Sequence, residues 1–188
     1  MEPIDTQLFG TVHRKQKINS KRKGNINELT ATKVLTEWVG TEFVRVPRSG
    51  GIRWKNRADV CGDVINNDPS FKFPFSVETK HVKNLGINPD KLDLRRNSVI
   101  YRYWAQCNRD ACAANKTPIL MIRDNGMKTG TYYIFIYLSY KQAFMLAPLN
   151  IYVQGFRVCE MAFGIFGYKS EDFFKSVSYE TLKNIYNG

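Results

Sequence analysis

The chain has 188 residues, enough for one well-buried core and too few for two roomy domains. Hydrophobic residues at 43% and aromatics at 13% exclude a disordered protein, and no apolar run approaches the ~20 residues of a membrane helix. With 28 lysines and arginines against 17 acids, the net charge is +11, which places a polyanion first among candidate partners.

The opening "MEPIDTQLFG" has no basic stretch leading into an apolar one, so an intracellular protein is expected. From Arg14 to Lys23 the chain carries basic residues and no acid. Such a block reads as a flexible arm over residues 1–23, whose Lys15, Lys17, Lys21, Arg22 and Lys23 neutralise phosphates; a solvated tail is the alternative.

Asn25 then opens "NINELTATKVLTEWVG", a helix closed by Gly40. At 100° per residue Ala31, Val34, Leu35 and Trp38 share one stripe, and Glu28 lies on it. A carboxylate directed inward requires a partner: a basic side chain, or a metal ion or its water. Ile26 and Leu29 lie elsewhere around the helix, which leaves open whether more than one side is covered.

"TEFVRV" (42–47 with Pro47) reads as a strand entering the Gly-rich turn "RSGG", and "RADVCGDVI" and "FPFSVETKH" read as two more, separated by the turn "NNDPS". Period two sets Ser76, Glu78 and Lys80 on one face of the third strand. A helix extends from Ser98 towards Asn115, with Ile100, Tyr103, Trp104, Cys107, Ala111 and Ala114 as its apolar stripe and Gln106 at the margin. "PILMIR" and "TYYIFIYL" are strands apolar on both faces, joined through "DNG". Beyond Lys141 the pattern gives a strand in "NIYVQGFRVC", the aromatic stretch "FGIFGY" and a helix near "SYETLKNIY". Its aromatics read as core or interface, because nothing spaces them around a basic groove.

Cys61, Cys107, Cys112 and Cys159 form no C-x-x-C pair and read as free buried thiols. Only His13 and His81 are present, too few for a Ser-His-Asp triad beside other roles or for a zincin helix. Carboxylates and lysine must therefore carry any chemistry. A short antiparallel turn could bring Asp63 beside Glu78, with a register open by a couple of residues. Two adjacent carboxylates repel, and a divalent cation is the usual remedy; hard oxygen ligands favour magnesium, with manganese as substitute. Lys80 beside such an ion could draw a proton from water or offset charge on the phosphate.

Over residues 23–138 this order resembles the PD-(D/E)xK nuclease superfamily, and within it the Holliday-junction resolvases of archaea and bacteriophages. "KGNINE" resembles the opening helix with its acid, Glu28. "RVPRSGG" resembles the strand and serine-bearing loop, with Ser49 and the basic Arg48. "CGDV" supplies Asp63, "VETK" supplies Glu78 and Lys80, and "YWAQC" resembles the later helix with Gln106. The resemblance implies an α/β fold with a restriction-endonuclease-like core, α-β-β-β-α-β, its mixed sheet flanked by helices. It implies Asp63 and Glu78 as metal ligands, Glu28 as an outer or second-metal ligand and Lys80 as the group that activates water. Ser49 and Gln106 would position substrate or solvent, and Arg48 would join the arm in binding DNA. Asp59 is a rival for the motif acid, and Gly62 stands where the family has proline.

The expected organisation is the arm, a nuclease core over 24–140, and a C-terminal extension over 141–188 packed on the same domain. The expected activity is magnesium-dependent hydrolysis of DNA phosphodiesters at branched structures, four-way junctions in recombination above all, by a homodimer leaving 5′ phosphates. The rivals are a sequence- or mismatch-directed nuclease on the same core and a nucleic-acid-binding module without catalysis. A bland reading also stands, in which Glu78 and Lys80 are a structural ion pair.

Overall fold

Helix α1 (Ser20–Val39) begins before Asn25. Its basic first turn is not loose: the Lys23 ammonium donates to Asn125 Oδ1 at 2.6 Å and to the Val82 carbonyl at 3.4 Å. The computed structural model describes residues 20–46, 60–83, 99–139, 142–143, 146, 154–156 and 163–187. At the far end of α1, Gly40 adopts φ +79°, and its N–H returns to the Thr36 carbonyl at 2.9 Å. That is the left-handed closure glycine permits without a Cβ penalty. The helix buries Asn27, Glu28, Ala31, Thr32 and Leu35, while Ile26 and Leu29 remain exposed, so a single side is covered.

β1 (Phe43–Arg45), β2 (Val64–Asn66) and β3 (Phe75–Val82) form an antiparallel meander. Asp68 shapes the β2–β3 connection by accepting from the Ser70 backbone N–H at 2.8 Å, the local bond that makes Asp a turn former. Helix α2 (Val99–Ala113) then crosses over to β4 (Thr117–Asp124), which lies parallel to β3. β5 (Tyr133–Ser139) returns antiparallel to β4. The expected order of helix, three strands, helix and strand is the order observed, in a mixed sheet.

The chain after β5 adds β6 (Gln154–Phe156) and β7 (Phe163–Lys169), then α3 (Ser170–Ser176) and α4 (Tyr179–Asn187). The aromatic stretch over 163–168 is a strand, β7, whose whole length pairs with β5 from Ser139↔Phe163 to Tyr133↔Lys169. Sheet order is β1-β2-β3-β4-β5-β7-β6. Period two along the strands splits the core into two layers. Val77, Ile119, Met121, Ile134 and Phe166 meet Ala31 and Leu35 of α1 and Phe173, Leu182 and Ile185 of α3 and α4. On the opposite face Leu120, Ile122 and Phe135 meet Ile100, Trp104 and Cys107 of α2.

The aromatics fill this core. Trp38 packs on Phe174 with centroids 5.0 Å apart, and Phe73 stacks with Tyr179 at 5.9 Å. Trp38 Nε1 also donates to the Val177 carbonyl at 2.8 Å, which ties α1 to the segment between α3 and α4. Of the cysteines, Cys107 is buried and Cys61 half-buried; Cys112 is exposed, contrary to a set of uniformly buried thiols, and Cys159 lies outside the described residues.

Candidate active site

Residue Asp63 precedes β2 instead of lying within it, because the strand cannot extend back through Gly62. Gly62 has φ +76°, and a Cβ there would meet the Val77 carbonyl oxygen at 2.4 Å. Only glycine allows the two backbones to approach so closely. The register Val64↔Val77 sets Asp63 opposite Glu78, and the Asp63 N–H donates to the Val77 carbonyl at 2.8 Å. Its carboxylate turns to the edge of β3, where Oδ2 accepts from the Thr79 N–H at 2.9 Å and the Thr79 hydroxyl at 3.1 Å.

Glu78 projects to the α2 face and is buried at 5% exposure. Lys80, two residues on along the same face, donates to its Oε1, and Gln106 Nε2 donates to the same oxygen at 3.0 Å. Burial pushes the Glu78 carboxyl above its usual range, the Asp63 charge pushes it further, and Lys80 acts in the opposite sense. A buried carboxylate costs several kcal/mol unless paired, so Lys80 and Gln106 offset part of a penalty that Asp63 enlarges. Cys107 packs behind this pair; burial first and the Glu78 charge second raise its thiol pKa, which leaves it unreactive.

Glu28 enters from α1 at 1% exposure. Its Oε2 accepts from Arg45 Nε of β1 at 2.6 Å. Among the described residues no three Asp, Glu, His or Cys side chains gather closely enough to hold one ion between them. Asp63, Glu78, Lys80 and Gln106 therefore come together, while Glu28 is engaged with Arg45. Ser49, Arg48, Asp59, Lys15 and Lys17 lie outside the described residues; Lys21 and Arg22 are exposed on α1.

Neither Arg45 as the partner of Glu28 nor Thr79 as the anchor of Asp63 had a direct sign in the sequence. A third side chain was findable. Tyr103 sits three residues before Gln106, one turn along the same side of α2, and the Lys80 ammonium lies 5.6 Å from its ring centroid.

The donor set suits a divalent cation: two carboxylates set opposite each other by the strand register, with the Glu78 pKa raised by burial first and by the Asp63 charge second. Asp63 and Glu78 are the residues that would hold it. Among the described residues no helix is long and apolar enough to cross a membrane.

A protein-family model described as "Phage putative PDDEXK endonuclease" matches residues 19–183. The match runs past β5 and takes in β7, α3 and most of α4. Neither the comparison with curated proteins nor that with solved structures returned a match.

Proposed function

The chain belongs to this phage PDDEXK endonuclease family, and from that premise we propose that it hydrolyses DNA phosphodiesters at branched structures, four-way junctions first, as a magnesium-dependent homodimer. The observation that carries the nuclease reading is the buried Glu78 carboxylate, set opposite Asp63 and bonded to Lys80 and Gln106. A structural ion pair would not need a second carboxylate beside the first, whose pKa burial raises most and the Asp63 charge raises further. Manganese would substitute for magnesium, since both accept oxygen ligands.

Asp63 and Glu78 bind the cation in this reading, and Glu28 serves as an outer or second-ion ligand. When bound, a divalent ion supplies Lewis-acid polarisation of the scissile phosphate and acidifies water. Thr79 fixes the Asp63 carboxylate through two bonds, and Gln106 fixes Glu78. Lys80 holds a positive charge where negative charge grows on the phosphate, and it orients the attacking water. Ser49 would position substrate or solvent. Arg48, Lys15, Lys17, Lys21, Arg22 and Lys23 bind backbone phosphates, in keeping with the net charge of +11. The preference for branched DNA and the dimer rest on the resolvase-like "RVPRSGG" segment and on symmetry, since a two-fold junction calls for two related sites.

The test offers a labelled four-way junction, a mismatched duplex and a plain duplex in competition, with magnesium. Paired symmetric nicks in the junction alone are expected. Equal cutting of all three would overturn the junction preference, and no cutting of any with magnesium or manganese would overturn the nuclease reading.

A further inference from the structure

Beyond the acidic centre, a second group of polar side chains gathers at the carboxyl ends of β3 and β4. The parallel register sets His81 beside Arg123, and both project to the α1 face, opposite to Glu78 and Lys80. Lys23 reaches over this end from the first turn of α1 and donates to Asn125 Oδ1 at 2.6 Å. The Asn125 side chain also hydrogen-bonds His81. Arg123 is fixed by Nη2 bonds to the Met127 carbonyl at 3.0 Å and the Thr129 hydroxyl at 3.1 Å. Its Nε is buried and has no partner among the described residues.

The charges here oppose one another. Arg123 and Lys83 each act to lower the pKa of Lys23, beneath the larger effect of its burial. Burial, Lys23 and Arg123 push His81 down to about 4. Asp124 acts against them on both groups, and on Lys23 its effect exceeds that of Arg123 or of Lys83. A solvated basic face would let its side chains fan apart, yet Lys23 and Arg123 are pinned by neutral acceptors. Pinned cations bind an anion without first losing side-chain freedom. Lys23 and Arg123, held together at this end with the Arg123 Nε unpartnered among the described residues, favour an anion there.

His81 lies three residues beyond Glu78 on β3, about 10 Å along the strand at ~3.3 Å per residue, with its side chain on the opposite face of the sheet. We infer that Lys23, His81, Arg123 and Asn125 form a phosphate seat for the sugar-phosphate backbone of the bound strand, flanking the scissile bond on the α1 side of β3. The strand would cross the carboxyl end of β3, from the α2 face at Glu78 to the α1 face at His81. This inference rests on the nuclease reading above and adds a defined position to it.

The test measures DNA affinity of the full chain against salt concentration, without divalent cation, for wild type, Lys23→Gln, Arg123→Gln and Lys23→Arg. Each neutral variant should make the log–log slope shallower by about 1, uniformly across sequences, and Lys23→Arg should keep the wild-type slope. Because Arg123 also anchors the turn after β4, thermal melts accompany each variant. Should Arg123→Gln unfold, Lys23→Gln and a scan of single neutral methylphosphonate linkages decide the question. One linkage away from the scissile bond should weaken wild type and leave Lys23→Gln indifferent. Folded variants with the wild-type slope, from a protein that binds and cuts DNA, would overturn the seat alone. A wild type that neither binds nor cuts DNA would overturn the nuclease reading with it.

Discussion

Replacing Gly62 by alanine tests how the fold places Asp63. The residue holds φ +76°, which costs an L side chain about 1–2 kcal/mol. Its new Cβ would stand 2.4 Å from the Val77 carbonyl oxygen and 3.0 Å from the carbonyl carbon, both strand backbone that cannot rotate away. Ordinary contact begins at 3.4 Å, so the two segments must separate by about 1.0 Å, the difference between 3.4 Å and 2.4 Å. That separation strains the 2.8 Å bond from the Asp63 N–H to Val77. Adding ~1–2 kcal/mol for the displaced backbone gives a loss of about 3 kcal/mol, or a melting point lower by roughly 6–12 °C. A shift of ~1 Å in Asp63 relative to Glu78 should reduce kcat about 10²-fold. Thermal melts and single-turnover cleavage read the two effects separately. Gly40→Ala is the control: its φ is +79° with nothing within 4 Å, so it should cost about 1 kcal/mol and leave cleavage unchanged. A Gly62→Ala protein that melts and cuts like wild type would refute the claim that close approach of these backbones sets the site.

Lys80→Ala should lower the cleavage rate by about 10²-fold or more while divalent-ion affinity stays close to wild type; an equal loss of both would make the lysine a structural partner of Glu78. Arg45→Met should cost about 2–3 kcal/mol in urea unfolding, because Glu28 is buried against a partly exposed guanidinium, and a neutral result would show that Glu28 draws its support elsewhere. Burial first, then Lys23 and Arg123, push His81 down from 6.5 to about 4, so the unfolded chain binds its proton more tightly. Stability from this group is full above pH 6.5 and declines as pH falls towards 4; His81→Asn should flatten the urea midpoint across that window, by an amount salt reduces because the ring is half-buried.

Spacing along single elements made much of this arrangement legible. Period two put Glu78 and Lys80 on one face of β3, and helical period put Glu28 on the buried side of α1. Both follow from local geometry, which the sequence states directly. Register did not follow: the connection from Asn67 to Pro74 is too long and irregular to fix it, so Val64↔Val77 emerged only with the fold. Strand length misled for a similar reason. "RADVCGDVI" reads as continuous, but the left-handed Gly62 delays β2 until Val64 and frees the Asp63 carboxylate to reach Thr79. α1 starts earlier than the pattern suggests, inside the charge run, where Lys23 bonds to Asn125, far away in sequence. Arg45 escaped notice because its partner, Glu28, lies on another element, and the sequence pattern shows Tyr103 only as part of the apolar stripe of α2, without its contact to Lys80.

The account depends on Asp63 and Glu78 sharing one divalent ion, and titration of manganese into the apoprotein, followed by the loss of free-ion EPR signal, tests this most directly. Wild type should bind, and Asp63→Asn and Glu78→Gln should each weaken that binding at least ~10-fold while melting close to wild type. Unchanged manganese affinity in both folded variants would contradict it.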